Sequence, residues 1–177
     1  MNDDYGTVLS PTEVRFRRLL PGPIETVWAY LTDSKRRGEW FASGPMEPRR
    51  VGGKVTLHFK HSDLSPHKAP PPEKFREMDA KGHAGAGTIT EYNPPRRLAF
   101  TWAPSSEVVF ELTPQGDKVL LTLTHCKLAN RDEMVGVSGG WHAHLAVLVD
   151  KAYGRVPPAF WDLWRSIDGQ YDKRIAR

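Results

Sequence analysis

Large apolar residues recur at every second position over several short stretches of the chain. From Thr12 to Leu20, Val14 and Phe16 alternate with Glu13, Arg15 and Arg17, which predicts a first strand. Pro21-Gly22-Pro23 breaks it. Proline is tolerated where a helix starts, so Ile24 to Leu31 reads as a helix with Val27, Trp28 and Leu31 on one side. Asp33 or Ser34 then caps a second short helix that runs toward Trp40 and Phe41 and stops by Gly44-Pro45. Alternation returns after Gly52-Gly53. Val55, Leu57, Phe59 and His61 face one way; Lys54, Thr56, His58 and Lys60 face the other. Residues 62–82 break the pattern with Pro66, Pro70, Pro71, Pro72 and many charges, so a mobile insert loop is expected there.

The stretch Gly87 to Trp102 reads as strand, Asn93-Pro94-Pro95 turn, strand. Leu98, Phe100 and Trp102 share one face. Val108, Phe110 and Leu112 follow, then the Pro114-Gln-Gly-Asp117 turn, then Val119, Leu121, Leu123 and His125 on one face. These connections are too short for crossover helices, so the sheet is antiparallel. After Gly139-Gly140 the period changes. Trp141, His144, Leu145, Leu148 and Ala152 recur at helical spacing and predict a long amphipathic helix ending near Gly154. Pro157-Pro158 opens a last segment with Phe160, Trp164, Ile167 and Tyr171 on one stripe, expected to pack on the domain or on a partner. The fold class is α+β. Residues 1–11 are expected to be a flexible N-terminus, 12–154 one domain, and 155–177 a helical extension.

Composition adds limits. With 177 residues, 39% hydrophobic and 26% charged, the chain suits one globular domain with a real core. The net charge of +4 comes from scattered groups such as Arg15-Phe-Arg-Arg18, Lys35-Arg-Arg37 and Arg49-Arg50, read as solvated charge, so no nucleic-acid partner is expected. A single cysteine, Cys126, excludes an intrachain disulfide and suits a cytoplasmic protein. No apolar run approaches the ~20 residues that span a bilayer, so no membrane insertion is expected.

Seven histidines raise the question of a metal. His58 and His61 fall on opposite strand faces, and His142 and His144 are about 200° apart around a helix. His61, His125 and His144 could converge, but no metal or other cofactor is expected. Ser138 reads as a helix lead-in and Cys126 as structural. Gly82-His-Ala-Gly-Ala-Gly87 precedes a strand rather than a helix, so it is a flexible lead-in and not a phosphate loop. No catalytic residue is assigned. His125 shares a face with Leu121 and Leu123: over a cavity it would orient a ligand or move protons, while at a sheet edge it would be an inert, hydrogen-bonded group. His144 flanks the helix stripe in the same way. Glu91 is either a second polar group of a cavity or, more ordinarily, the partner of Arg96 or Arg97.

Four pieces carry a resemblance: Pro23-Ile-Glu-Thr-Val-Trp-Ala-Tyr-Leu-Thr-Asp33, Arg96-Arg-Leu-Ala-Phe-Thr-Trp102, Val109-Phe-Glu-Leu-Thr-Pro-Gln-Gly116 with Leu121-Thr-Leu-Thr-His125, and Gly140-Trp141. Together with the order of elements, they make the chain resemble the START-like (SRPBCC, Bet v-like) superfamily over residues 12–153. Within it, the branch is that of the activator of the heat-shock-protein-90 ATPase. The resemblance implies a helix-grip fold: a curved antiparallel sheet wrapped around the C-terminal helix, with two short helices after the first strand. It also implies a cavity between sheet and helix for an apolar or amphipathic small molecule, in the ~300–1,000 Å³ range of ligand sites. Candidate lining residues are Trp40, Phe41, Phe59, Trp102, Phe110, Leu121, Leu123, His125, His144, Leu145 and Leu148. Two other roles are implied: an enzyme of the polyketide-cyclase or dehydratase kind, and a stress-response protein that binds a chaperone. The eukaryotic chaperone activator carries a separate N-terminal domain for which this chain has no room, so a chaperone partner is not expected. The insert at 62–82 and the tail after Pro157 depart from the family pattern. They would reshape the cavity mouth or build a homodimer contact.

Overall fold

The computed structural model describes residues 4–177. Its strands and helices run β1 (Thr7–Ser10), β2 (Glu13–Pro21), α1 (Ile24–Thr32), α2 (Ser34–Gly38), β3 (Met46–Glu47), β4 (Lys54–Phe59), α3 (Arg76–Lys81), β5 (His83–Asn93), β6 (Arg97–Trp102), β7 (Ser106–Gln115), β8 (Lys118–Cys126), α4 (Arg131–Ala152), α5 (Phe160–Ile167) and α6 (Gln170–Arg174). The strands form one curved antiparallel sheet in the order β1-β2-β8-β7-β6-β5-β4-β3. The short turns expected after Asn93 and Gln115 do close hairpins. The second is a two-residue loop with Gly116 at φ 64°, the left-handed conformation such turns need. Alternation then decides the faces. Phe16, Leu123 and Phe110 are register neighbours across β2, β8 and β7, all buried, and they meet α4 as helix-grip architecture requires.

Four expectations need revision. The segment 1–11 is not free over its described part: β1 pairs with β2, and the Gly6 N–H donates to the Tyr171 hydroxyl at 2.9 Å. Residues 1–3 lie outside the described residues. The insert is folded rather than loose. It makes two 3₁₀ turns, His61–Asp63 and Glu73–Phe75, and then α3. Asp79 accepts from the Ser62 N–H at 3.2 Å, and Phe75 stacks on Trp161 of α5 at 5.4 Å. The expected lead-in is ordered strand from His83 onward. A Cβ at Gly87 would lie 2.2 Å from the Thr101 carbonyl oxygen, so only glycine fits there. Finally, α4 starts at Arg131, ten residues before Trp141. Asn130 Oδ1 accepts from the Glu133 N–H, and the Glu133 carboxylate accepts from the Ala129 N–H. That reciprocal cap holds the helix start despite the glycines that follow. Ser138 therefore lies inside the helix, buried.

The tail packs on the domain. Phe160, Trp161, Ile167 and Tyr171 are all buried, and Gly169 at φ 76° separates α5 from α6. Among the described residues, no helix is long and apolar enough to cross a membrane.

Candidate ligand-binding site

One face of α4 carries Gly136, Val137, Gly140, Trp141 and His144. This face, the rings of Phe41, Phe59 and Trp102, and His61 and His83 line a half-open cavity of about 260 Å³. That is just short of the expected range. The reason the space exists is visible on α4: a Cβ added at Gly136 or Gly140 would meet no atom within 4 Å. Most globular helices fill such positions with side chains that touch the sheet. Here the bare backbone is the wall.

The opposite wall is held from below. Arg37, expected to be surface charge, is buried at the end of α2. Its guanidinium donates to the carbonyls of Ala42 (2.9 Å), Gly44 and Thr56 (3.2 Å). This ties the segment after α2 to β4 and sets Phe41 in place. Burial holds the Arg37 pKa down to about 10, which leaves it charged at neutral pH. Phe41 lies 4.9 Å from Trp141 and meets Phe59 edge-on at 5.0 Å; Trp102 lies 5.6 Å from Trp141. Edge-to-face and tilted pairs at these separations are favourable and fix ring directions.

Three histidines divide the polar work. His144 donates its Nδ1–H to the Trp40 carbonyl oxygen at 2.8 Å. A carbonyl can only accept, so the proton sits on Nδ1 and Nε2 carries a lone pair. No hydrogen bond engages that Nε2 among the described residues. Burial, and then neighbouring His61, pull the His144 pKa down to about 3, against the opposing pull of the Trp40 carbonyl. His61, with its ring 5.3 Å from that of His144, is held down to about 4, chiefly by burial. Both imidazoles are therefore neutral at pH 7.

His125 lies behind the wall. Its Nδ1 accepts from the Trp141 indole N–H at 2.9 Å, which leaves the ring proton on Nε2 to donate to Ser106 Oγ at 2.8 Å. The Ser106 hydroxyl donates in turn to the Trp102 carbonyl at 3.3 Å. Burial lowers the His125 pKa to about 4. His125 thus positions Trp141 and Trp102, two cavity walls, without lining the cavity itself.

The candidates named from sequence therefore separate. Phe41, Phe59, Trp102 and His144 line the cavity. Trp40, Phe110, Leu121, Leu123, Leu145 and Leu148, like His125, are buried in the core and do not line it. Trp40 is spent on structure, donating its indole N–H to the Tyr30 carbonyl at 2.9 Å. Glu91 accepts from Arg97 Nε at 2.7 Å, so it is the ion-pair partner and not a cavity group. The sequence did not single out His61, His83 or Trp141 as lining residues, and it missed Gly136, Val137 and Gly140 because the helix was expected to begin later. Asn130-Arg-Asp-Glu133, a capping-box signature, would have placed them on one face. Among the described residues, no group of three or more His, Cys, Asp or Glu could hold a metal ion.

A second, more polar cleft of about 540 Å³ shares Phe41, Phe59 and His83 with the cavity and continues toward His58, Lys60 and Lys81. The insert and the tail close over the remaining side. Phe160 of α5 lies 4.8 Å from both His61 and His144, and the Ser65 hydroxyl of the insert donates to the Pro157 carbonyl at 2.7 Å. The insert and the tail thus roof the site.

The solution NMR structure of a protein from Bordetella parapertussis is similar at 42% identity, with a TM-score of 0.82 over 99% of this chain and 92% of that one. CalU16 from Micromonospora echinospora shares the fold at 24% identity, with a TM-score of 0.64 over 91% of this chain and 86% of that one. DynU16, a protein in the dynemicin biosynthetic locus, shares it at 20% identity, with a TM-score of 0.62 over 86% of this chain and 51% of that one. No curated protein sequence matches the chain. The family described as activator of Hsp90 ATPase homolog 1-like protein matches residues 21–151, most of the sheet and the whole of α4 but its last residue, and the chain belongs to that family.

Proposed function

We propose that this protein is a binding domain for a small apolar molecule held between the sheet and α4. The observation that carries this reading is the cavity itself: a half-open space lined by aromatic rings and by the side-chain-free backbone of Gly136 and Gly140. A helix loses about 1 kcal/mol for each glycine it carries in place of alanine. Keeping two of them at the cavity wall makes sense when the space they leave is used. At interior packing density the volume accommodates roughly ten to fifteen non-hydrogen atoms. Its neutral, mostly apolar lining suits an uncharged guest.

The test is native mass spectrometry of freshly purified protein, followed by calorimetric titration with naphthalene. A retained adduct, or naphthalene uptake, that disappears in Gly140→Leu supports the reading. Wild-type protein that carries no adduct and takes up no naphthalene rejects it.

A second reading, an enzyme of the polyketide-cyclase kind, is favoured by one observation. His61 and His144 bring two uncharged imidazoles to one end of the cavity, and an unbonded Nε2 lone pair there can accept a proton. The fold shared with DynU16, whose locus is biosynthetic, fits this reading. A base with a pKa near 3 is weak, so binding stands first. Turnover of a cyclisable aromatic precursor that His144→Gln abolishes, with binding kept, would reverse that order.

A further inference from the structure

The cavity is mostly apolar, and the little polarity it has is one-sided. A ligand class drawn from that asymmetry rests on the binding role proposed for the cavity. The His144 ring has its donor committed to the Trp40 carbonyl, and its remaining nitrogen is an acceptor with no partner among the described residues. Leaving such an acceptor buried beside a ligand without a donor is unfavourable, and supplying one is worth about tenfold in affinity. No lysine or arginine lines the cavity; the lysines lie in the neighbouring cleft. An anion would leave water without a compensating charge.

Shape adds a second constraint. Gly136 and Gly140, one turn apart on α4, leave a strip of helix backbone as one wall. Phe41 and Trp102, which also line the cavity, stack on each other with 24° between their planes and 6.0 Å between their centroids. Bare backbone and aromatic rings in one cavity offer flat surfaces, which a planar guest covers best.

We propose that the ligand is a planar, uncharged aromatic of no more than about two fused rings, carrying a hydroxyl that donates a hydrogen bond to His144 Nε2. Its flat face lies on the Gly136–Gly140 backbone. Gly136 and Gly140 set the thickness of ligand the site accepts, and His144 sets its polarity.

The experiment is calorimetric titration of the full chain at pH 7 with three probes of similar shape: 2-naphthol, 2-methylnaphthalene and 2-naphthoate. Hydroxyl and methyl are close in size, so the first pair isolates the donor. The expected result is 2-naphthol binding about tenfold tighter than 2-methylnaphthalene, with 2-naphthoate the weakest of the three. In His144→Leu the tenfold preference disappears while 2-methylnaphthalene still binds. Equal wild-type affinities for 2-naphthol and 2-methylnaphthalene overturn the proposed ligand class and leave the binding cavity standing, as does tightest binding of 2-naphthoate. Failure of all three to bind overturns the cavity reading and this proposal together. The wild-type comparison decides the matter even where His144→Leu fails to fold.

Discussion

The two halves of α4 cover the same sheet and do opposite things. Toward its C-terminus, Ala143, Leu145, Val147 and Leu148 are wholly buried and leave no space above the sheet. Toward its N-terminus, Gly136, Gly139 and Gly140 would each add a Cβ into empty volume. Two clefts meet the helix there, the aromatic-lined cavity and one of about 310 Å³ beneath α5. The sheet does not change character between the halves. The cavity is therefore made by subtracting side chains from the helix, and its position is set by where the glycines fall. The three histidines with lowered pKa values gather where the halves meet: His144 lies between Ala143 and Leu145, His61 stands beside it, and His125 bonds Trp141.

The histidines yield the largest expected effect. His61, His125 and His144 are held neutral in the fold with values of about 4, about 4 and about 3, against 6.5 for an ordinary histidine. Above pH 6.5 both folded and unfolded chains hold them uncharged, so they contribute no pH dependence. As pH falls below 6.5 the unfolded chain takes up protons that the folded chain refuses, and stability drops until the folded values are passed. By pH 5 each of the three withdraws on the order of 1–2 kcal/mol. Urea unfolding between pH 7 and pH 4 should show this steep loss, and NMR titration should find three imidazoles still neutral at pH 5. An imidazole among the three that titrates near 6.5 would mean that its surroundings are open to water.

The packed half is sharpened by Leu148→Ala. Leu148 is wholly buried in the main cluster, so truncation leaves a void that its neighbours fill only in part. The expected cost is about 2–5 kcal/mol in chemical unfolding. Because Leu148 does not line the ligand cavity, naphthalene affinity should stay within about twofold of wild type. A cost under about 1 kcal/mol would show that the packed half is loosely filled and that the two halves are alike.

The same contrast explains what the chain makes legible and what it hides. Alternation in β2, β6, β7 and β8 is local and strong, and the short turns leave only antiparallel pairing, so the sheet can be read. So can the placement of Phe41, Phe59 and Trp102, which follows from face and strand end. Leu121, Leu123, Leu145 and Leu148 look like cavity residues because strand and helix faces show only which residues point inward. Whether an inward residue meets a neighbour or a void depends on where the helix crosses the sheet, which is a non-local fact. The glycine half is hidden because glycine's low helix propensity argues for a later helix start, whereas the cap at Asn130 and the tertiary packing of Met134 and Trp141 override it. His125 stands out in the sequence as a polar group among leucines. Its two partners, Trp141 and Ser106, are 16 and 19 residues away and meet it only in the folded sheet.

The smallest effect is the most direct test of the contrast, because a single methyl group is added in one half and removed in the other. Gly139 lies in the helix interior, outside the ligand cavity, with no atom within 4 Å of an added Cβ. Gly139→Ala removes backbone freedom from the unfolded chain and costs no packing in the folded one. It should stabilise by about 0.5–1 kcal/mol and raise the melting temperature by a few degrees. One turn on, Ala143 is wholly buried. Ala143→Gly makes the reverse change and also removes a packed methyl, so its loss should exceed the gain at Gly139. Thermal melts of the two variants should move in opposite directions and by unequal amounts. If Gly139→Ala lowers the melting temperature, the space over the glycine half is not free to accept even a methyl group. The helix glycines would then serve the close approach of chain segments rather than leave room for a ligand.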